Sequence, residues 1–377
     1  MQLFFDSVVI YLAAWIGALR RRGRALAPLT PTRLFVLAVF PAFLVLQLFH
    51  GACLLLDHLL FPGYRRVELR RPVFVLGVPR SGTTFLHRKL AQDREFTAPR
   101  TWEVILAPAL CQRFVLAVLA RVDRALGRPF GRALDWFVSR TAGGLDSIHA
   151  IGLSAAEEDY LALLPAGGCF FLHMLFPHAR AFLDLAALER LPEARRNRLL
   201  DHYHGLMQRQ VYFHGGKQLL SKNAAFAGWT GALGERYPDA CLILCIREPG
   251  AALKSQLTSL AGARRMFATY PRDEDLQRTF LQLFDDWWHT LDACTRTLNP
   301  TPLVVEQEWL RGHTGAVLSL VYQQLERDPP PGLGAEHGPA SPARRSPWGL
   351  DAEALASLQQ PYHRLRSLAI AQRGPSS

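Results

Sequence analysis

The sequence has few cysteines, and none of them is spaced to hold a metal ion. Six cysteines occur among 377 residues, mostly inside apolar runs. No Asn-x-Ser/Thr acceptor occurs either, because proline separates Asn299 from Thr301. These absences predict reduced, buried thiols, no metal site, and a domain outside the secretory lumen.

Acidic residues are also scarce relative to basic ones. The chain carries 43 Lys and Arg against 32 Asp and Glu, a formal net charge of +11. Such an excess suits an anionic cofactor, an anionic membrane surface or nucleic acid. Nucleic acid is the least favoured of the three, since the basic residues are dispersed or flank apolar segments and no known binding module is present.

Formal charge is missing altogether from one N-terminal run. Leu34–Leu56 contains 23 residues without Asp, Glu, Lys or Arg, which is enough to cross a hydrocarbon core of about 30 Å. An earlier apolar segment, Ser7–Leu19, is short for a span. It lacks a basic leader and ends in arginines, which argues against a cleavable signal peptide.

Three interpretations of this N-terminus stay open: a membrane-spanning helix, an interfacial helical hairpin, or a buried helical cap. Arginines flank both sides of the second run, so the charge pattern leaves its orientation undecided. We expect a membrane-associated protein whose catalytic domain faces the cytoplasm, with a soluble cytoplasmic protein as the second choice. Residues 1–64 form the predicted apolar helical segment, and residues 65–377 the main domain, with a Pro/Gly-rich loop at 327–347.

The segment 72–90 predicts an anion site. Pro72–Val78 is an apolar run typical of a buried parallel strand, and Pro79, Ser81 and Gly82 break it before a helical pattern starts at Thr83. A strand followed by a tight turn and a helix N-terminus directs several N–H groups at one point. Phosphate is the usual ligand of such a site.

This loop departs from a nucleotide-hydrolase P-loop in one respect. Gly77 and Gly82 have the P-loop spacing, but Thr83 stands at the lysine position. The cation is Arg80, inside the loop. A P-loop kinase or nucleotide hydrolase is therefore the alternative function rather than the first choice.

A second phosphate-binding segment follows a second predicted strand, Cys241–Ile246. Arg247 ends this strand, Pro249 suits the first position of a helix, and Ser255 lies about two turns into that helix. Arginine gives bidentate contacts to phosphate oxygens, and a serine hydroxyl adds another hydrogen bond.

Together these two motifs resemble the sulfotransferases that use 3′-phosphoadenosine 5′-phosphosulfate. Pro79–Thr84, PRSGTT, is similar to their 5′-phosphosulfate loop, and Arg247 with Ser255 to their 3′-phosphate motif. The likeness covers about residues 70–325 and is greatest to bacterial-type members, which carry an Ala-Pro-x-x-Trp-Glu segment, here Ala98–Glu103. It implies an α/β, P-loop-like three-layer fold around a central parallel sheet. It also implies donor contacts from these residues: Arg80, Ser81, Gly82, Thr83, Thr84, Arg247 and Ser255. Arg80 is expected to act in catalysis as well, because it can neutralise the charge that develops on the leaving phosphate.

The resemblance implies several candidates for the proton acceptor. Glu103 stands at a position comparable to the base of protein-tyrosine sulfotransferases, His149 is suggested by members that use histidine, and Glu158 ranks third. For each of the three, a purely structural role is the alternative to catalysis. Glu158, for example, lies in the predicted first turn of a helix over 155–164, where a carboxylate interacts favourably with the helix dipole. Lys222 is expected at the bridging oxygen of the donor, although Asn223-Ala224 replaces the usual Ser-Pro after it.

The predicted reaction is sulfuryl transfer from this donor to a hydroxyl, without a metal. A lipid or other amphipathic acceptor is expected from the apolar N-terminus alone. A catalytically inactive, membrane-bound scaffold on the same fold is the second alternative, in addition to the kinase.

Overall fold

The structure is a computed structural model that describes residues 2–20, 24–132, 136, 156–333, 348–350 and 352–373. His149 and most of the Pro/Gly-rich loop lie outside the described residues. The loop's beginning, residues 327–333, leads out of the last helix before this gap.

A five-stranded parallel sheet organises the described chain, in the spatial order β2-β3-β1-β4-β5. The predicted α/β class with a central parallel sheet is confirmed. The strands are β1 Val73–Gly77, β2 Phe96–Thr97, β3 Gln218–Lys222, β4 Cys241–Ile246 and β5 Leu303–Glu306.

The central strand β1 shows why the fold has three layers. All five of its residues are buried, which fits its continuous apolar sequence. Val73 and Val75 belong to one hydrophobic core, and Phe74 and Leu76 to the other. Successive side chains point to opposite faces, so helices cover the sheet on both sides.

Helices fill the segments between and beyond the strands. In chain order they are α1 Gln2–Leu19, α2 Pro31–Leu60, α3 Thr83–Leu90, α4 Thr101–Ile105, α5 Leu110–Ala125, α6 Leu172–Leu175, α7 Arg180–Leu183, α8 Glu193–Phe213, α9 Thr230–Arg236, α10 Pro249–Ser259, α11 Ala261–Phe267, α12 Asp273–Thr297, α13 Gln307–Gly312, α14 Thr314–Gln324 and α15 Ala352–Gln372. Short 3₁₀ segments are Pro62–Arg66, Asp159–Ala166, Asp184–Ala186, Leu188–Arg190 and Ala224–Phe226.

The predicted helix over 155–164 is wrong in type and in its start. Ala156 pairs with Arg100 in an antiparallel bridge, and the helical segment is a 3₁₀ helix that begins at Asp159. Glu157 and Glu158 therefore precede the helix instead of occupying its first turn. The reason is tertiary: the Glu157 N–H donates to the Pro99 carbonyl (2.8 Å), which holds this stretch against the segment before α4.

The apolar N-terminal helices pack against the main domain. Tyr11 of α1 and Leu37 and Phe40 of α2 are buried in the same core as Phe176 and Phe182. All six cysteines are unpaired, five of them buried and Cys111 partly so. The predicted reduced thiols agree with this arrangement.

Candidate active site

The loop after β1 needs glycine at both of its ends. Gly77 has a φ of 138°, and a Cβ there would lie 2.1 Å from the Cys245 carbonyl oxygen of β4. Gly82 has a φ of 96°, another conformation that favours glycine. The close approach to β4 sets where the chain turns from the strand into α3.

The turn leaves an open helix N-terminus. Gly82 caps α3 without a side chain, so the first N–H groups of the helix receive no side-chain acceptor. Ser81 is buried, and its hydroxyl donates to the Val78 carbonyl (2.7 Å), so it shapes the loop. Backbone donors at Gly82–Thr84 are the groups best placed for an anion.

Arg80 is the point at which the two predicted phosphate motifs meet. Its φ is 69°, a left-handed conformation that is uncommon for a residue other than glycine. Its Nε donates to the hydroxyl of Ser255 in α10 (3.1 Å), and its carbonyl accepts from Nη1 of Arg247 (3.3 Å). The structure thus joins Arg80, Arg247 and Ser255 directly.

Two residues of α13, absent from the sequence-based predictions, complete this cluster. Gln307 donates from Nε2 to the Arg80 carbonyl (3.1 Å). Arg311 adds positive charge close to Arg80 and Arg247. They follow β5, whose carboxyl end faces the same sheet edge as the predicted site, and that placement is the signal by which they could have been found.

Electrostatics around the cluster favour a bound anion. Burial lowers the pKa of Arg80, and the neighbouring charge of Arg311 lowers it further. Burial also lowers the pKa of Arg247, followed by repulsion from Arg311 and Arg80, while Glu248 and Glu308 act in the opposite direction. Three crowded guanidinium groups are stabilised by an anion placed between them.

Lys222 lies at the carboxyl end of β3, opposite Val75 of β1 in the sheet register. It is buried, and its Nζ lies 2.7 Å from Oε1 of Glu158, whose side chain is 21% exposed. Burial, and then the Lys222 charge, lower the pKa of His87 in α3 to about 3. Lys222 therefore sits between α3 and Glu158, next to the strand that leads into the loop.

A buried polar network lies next to Lys222 and Glu158. The Tyr203 hydroxyl donates to Oδ2 of Asp159 (2.8 Å) and lies 3.1 Å from the Ser221 hydroxyl. Burial raises the pKa of Asp159 to about 7, although its hydrogen bonds with Ser221 and Tyr203 oppose the change. Asp159 follows Glu158 in the chain, and Ser221 precedes Lys222. The hydrogen bonds of Tyr203 with Asp159 and Ser221 therefore hold the backbone beside Glu158 and beside Lys222.

Glu103 occupies a different network. It is fully buried in α4; Oε2 accepts from the Arg100 N–H (2.8 Å) and from Gln210 (3.2 Å), and Oε1 lies 2.7 Å from Nε2 of His214. Burial alone raises its pKa, but the His214 contact and the charge of Arg113 outweigh it, so the pKa is lowered. Within the described chain, no hydrogen bond links Glu103 to Arg80, Lys222 or Arg247.

Asn223, which together with Ala224 replaces the usual Ser-Pro of the family, forms hydrogen bonds that shape the turn after Lys222. Its Oδ1 accepts from the Ala225 N–H (3.1 Å), and its own N–H donates to the Val75 carbonyl (3.0 Å). The buried Nδ2 has no partner within the described residues. The turn after Lys222 is thus closed by Asn223.

The described residues contain no group of His, Cys, Asp and Glu arranged to hold a metal ion. The charged site is cationic, as expected for a phosphate or sulfate ligand.

Comparison with known proteins gives one family. Residues 72–333 match the model described as the sulfotransferase family. Curated relatives of the same name, omega-hydroxy-beta-dihydromenaquinone-9 sulfotransferase, occur in Mycobacterium bovis and Mycobacterium tuberculosis. Each is 24% identical over 260 residues, which are 67% of this chain and 62% of the relative. The chain thus spans about three fifths of the length of these relatives.

Solved structures agree on the fold. A sulfotransferase of Mycobacterium tuberculosis superposes with a TM-score of 0.64 at 15% identity, covering 98% of this chain and 92% of its own. A sulfotransferase of Mycobacterium avium gives a TM-score of 0.61 at 16% identity, covering 100% of this chain and 88% of its own. Both alignments include the N-terminal helices, because they cover almost the whole chain.

Proposed function

The chain belongs to the sulfotransferase family, and from this premise we propose that it moves a sulfuryl group from 3′-phosphoadenosine 5′-phosphosulfate to a hydroxyl acceptor. One observation carries the proposal: Arg80 of the first phosphate loop contacts Arg247 and Ser255 of the second motif. A donor with phosphates at both ends of its ribose requires two anion sites side by side.

The donor contacts are assigned by chemistry. The N–H groups of Ser81, Gly82, Thr83 and Thr84, with the Arg80 guanidinium, receive the 5′-phosphosulfate. Arg247 and the Ser255 hydroxyl receive the 3′-phosphate, and Arg311 adds charge to the pocket. Thr83 at the lysine position weighs against a kinase, which relies on that lysine for the β- and γ-phosphates.

The transfer is an in-line displacement at sulfur, similar in its demands to phosphoryl transfer. The acceptor oxygen forms a bond to sulfur, and the bond from sulfur to the bridging oxygen breaks. The leaving 3′-phosphoadenosine 5′-phosphate keeps the electron pair, and the acceptor proton passes to a base. Lys222 is proposed to stabilise the charge that develops on the bridging oxygen.

Glu158 is the base that the contacts favour. It is partly exposed and already beside Lys222, whereas Glu103 is fully buried and uses both oxygens in its own network. Donor binding offers Lys222 a new anionic partner and so releases the Glu158 carboxylate toward the acceptor. Glu103 and His149 stay predicted candidates.

We propose an amphipathic, lipid-like hydroxyl as the acceptor. The relatives are named for a hydroxylated menaquinone, and apolar helices adjoin the domain in this chain. We divide the chain into an apolar helical segment, residues 1–64, and the main domain, residues 65–377. The apolar helices of the first segment support membrane association. The free, mostly buried thiols are consistent with a catalytic domain that faces the cytoplasm.

Turnover tests the proposal directly. Purified protein is incubated with sulfur-radiolabelled donor and bacterial lipid extract, and products are separated by thin-layer chromatography. We expect a labelled lipid that appears with wild type and is lost in Arg247→Ala. Donor binding without any labelled product, in lipid or polar extracts, would instead indicate the inactive scaffold.

A further inference from the structure

The polarity of α2 is the reverse of that of a helix on a water-exposed surface. Its buried side carries four polar or charged residues, Arg33, Gln47, His50 and Asp57, whereas Thr32 near its start is exposed and His58 near its end is partly buried. Its outward side is apolar, with these exposed large side chains: Leu34, Phe35, Val39, Val45, Leu46, Leu48, Phe49, Leu55, Leu56, Leu59 and Leu60. Polar side chains that face protein while apolar ones face outward are typical of a surface in contact with lipid.

The buried polar residues tie α2 to the domain near both of its ends. Near its start, Arg33 donates to the Phe267 carbonyl of α11 (3.4 Å). Near its end, Asp57 pairs with Arg209 of α8 (2.8 Å). Helix α2 has 30 residues and is about 45 Å long. Because it contacts the domain near both ends, it lies along the domain rather than projecting from it.

Helix α1 repeats the pattern. The Ser7 hydroxyl, on its buried side, donates to the Pro165 carbonyl (3.0 Å), and Tyr11 donates to the Leu164 carbonyl. Its outward side shows these exposed residues: Phe5, Val9, Leu12, Ile16 and Leu19.

Helix α5 extends the same surface. After its buried first turn it exposes Phe114, Val115, Val118, Leu119 and Val122, which recur at helical spacing on one side. The ring of Phe114 stacks on that of Phe61, just after α2, with centroids 5.0 Å apart. The outward sides of α1, α2 and α5 are called the apolar face below.

Exposed arginines border this face. They lie after α1, after α2, and along and beyond α5: Arg20, Arg24, Arg65, Arg66, Arg121, Arg124, Arg128 and Arg132. Such a border attracts anionic headgroups. A second copy of the chain would bring like charges to the face, so charge favours a lipid surface over a dimer.

We propose that the apolar face is a monotopic docking surface for an anionic bilayer, with α1, α2 and α5 lying in the interface and neither α1 nor α2 crossing it. The inference rests on the membrane association in the proposed function, and its flotation and labelling readouts do not depend on turnover of the donor. An amphipathic acceptor would then be collected from the same leaflet.

Vesicle flotation tests the face. Full-length protein is diluted from detergent into phosphatidylcholine vesicles with or without phosphatidylglycerol. Val118 and Leu119 are 55% and 56% exposed, so Val118→Asp with Leu119→Asp removes apolar contact without disturbing a core. Ile370→Asp is the matched control, because Ile370 is 52% exposed on α15.

We expect wild type and the control to float with anionic vesicles, and the double variant to bind at least about tenfold more weakly. All three should bind 3′-phosphoadenosine 5′-phosphate equally. Wild type that stays unbound, or flotation that the double variant leaves unchanged, would overturn the proposal. So would a light-scattering mass of a dimer that the double variant converts to a monomer.

Cysteine labelling separates docking from spanning. Ala25→Cys lies before α2 and Arg66→Cys after it, and the native thiols are mostly buried. In sealed, inverted membrane vesicles from an expressing bacterium, a membrane-impermeant maleimide should label both positions. Labelling of one position only would show that α2 crosses the bilayer and would contradict the monotopic arrangement.

Discussion

Lys222 and Glu158 form a contact whose chemistry depends on what else is bound. The Lys222 ammonium lies 2.7 Å from the Glu158 carboxylate. A bound donor sulfate would compete with this carboxylate for the same ammonium. In the reaction proposed above the pair acts as a unit, in which Lys222 stabilises the leaving oxygen and Glu158 accepts the proton. Glu103 is not placed to accept a proton in this way, because both of its carboxylate oxygens are hydrogen-bonded to partners inside the protein.

Paired substitutions distinguish the two carboxylates. Glu158→Gln should lower kcat about 100- to 10,000-fold, the usual contribution of a general base, while donor binding by calorimetry is retained. Glu103→Gln should keep most of the activity and instead lower the free energy of unfolding by about 1–3 kcal/mol, measured in urea. Loss of turnover at unchanged stability in Glu103→Gln alone would reverse the assignment.

The pH dependence of stability provides a control for the role of Glu103. Its pKa in the folded protein lies below the ordinary value of 4.5, so the folded state favours the charged form. The resulting stabilisation is fully present above pH 4.5 and is lost as the pH falls through the folded value. The stability difference between wild type and Glu103→Gln should therefore shrink below pH 4.5.

The proximity of Arg80, Arg247 and Ser255 was predictable because the signals are local. Gly77, Arg80 and Gly82 lie in one short segment, and Arg247 and Ser255 in another, each directly after an apolar strand. The contact of Lys222 with Glu158 was not predictable, because it joins two distant segments. Their approach depends on an extended stretch that pairs with Arg100, where the sequence predicts a helix.

Among the elements, α2 and α5 depend on one buried carboxylate. Asp57 of α2 accepts from the Leu110 N–H (2.8 Å) and the Cys111 N–H (2.9 Å), and so it caps α5 from another helix. It also pairs with Arg209, and both side chains are almost fully buried. The sequence shows Asp57 only as a charge just after an apolar run, and its partners lie far along the chain.

Removal of this carboxylate should have a large effect on stability. Asp57→Ala leaves Arg209 buried without its partner and α5 without its cap, so the free energy of unfolding should fall by about 3–5 kcal/mol. Glu68→Ala is the control, because Glu68 pairs with Arg70 where their side chains are 70% and 82% exposed. That change should stay within about 0.5 kcal/mol in urea unfolding, and similar losses in both variants would contradict this account.

The elements also show which patterns a sequence leaves undecided. The apolar spacing of α5 is visible in the sequence, but spacing alone does not tell whether Val118 faces a core or the outside. The same holds for α2, whose length fits a membrane span although its polar side is bound to the domain.

At the scale of the whole molecule, the sheet gathers polar and charged groups at one edge. The carboxyl ends of β1, β3, β4 and β5 carry the loop, Lys222, Arg247 and Gln307 respectively. Parallel strands make this convergence unavoidable, so the sequence predicts it once two strand-end motifs are recognised. The N-terminal helices add a second specialised surface, which faces outward and is apolar.

The two-phosphate donor site proposed at this sheet edge can be tested by calorimetric binding of 3′-phosphoadenosine 5′-phosphate. Wild type should bind this product and not ATP, Arg247→Ala should lose binding, and Arg278→Ala, on an 81% exposed side chain, should bind like wild type. Equal binding by Arg247→Ala, or a preference for ATP with magnesium, would contradict a two-phosphate donor site here.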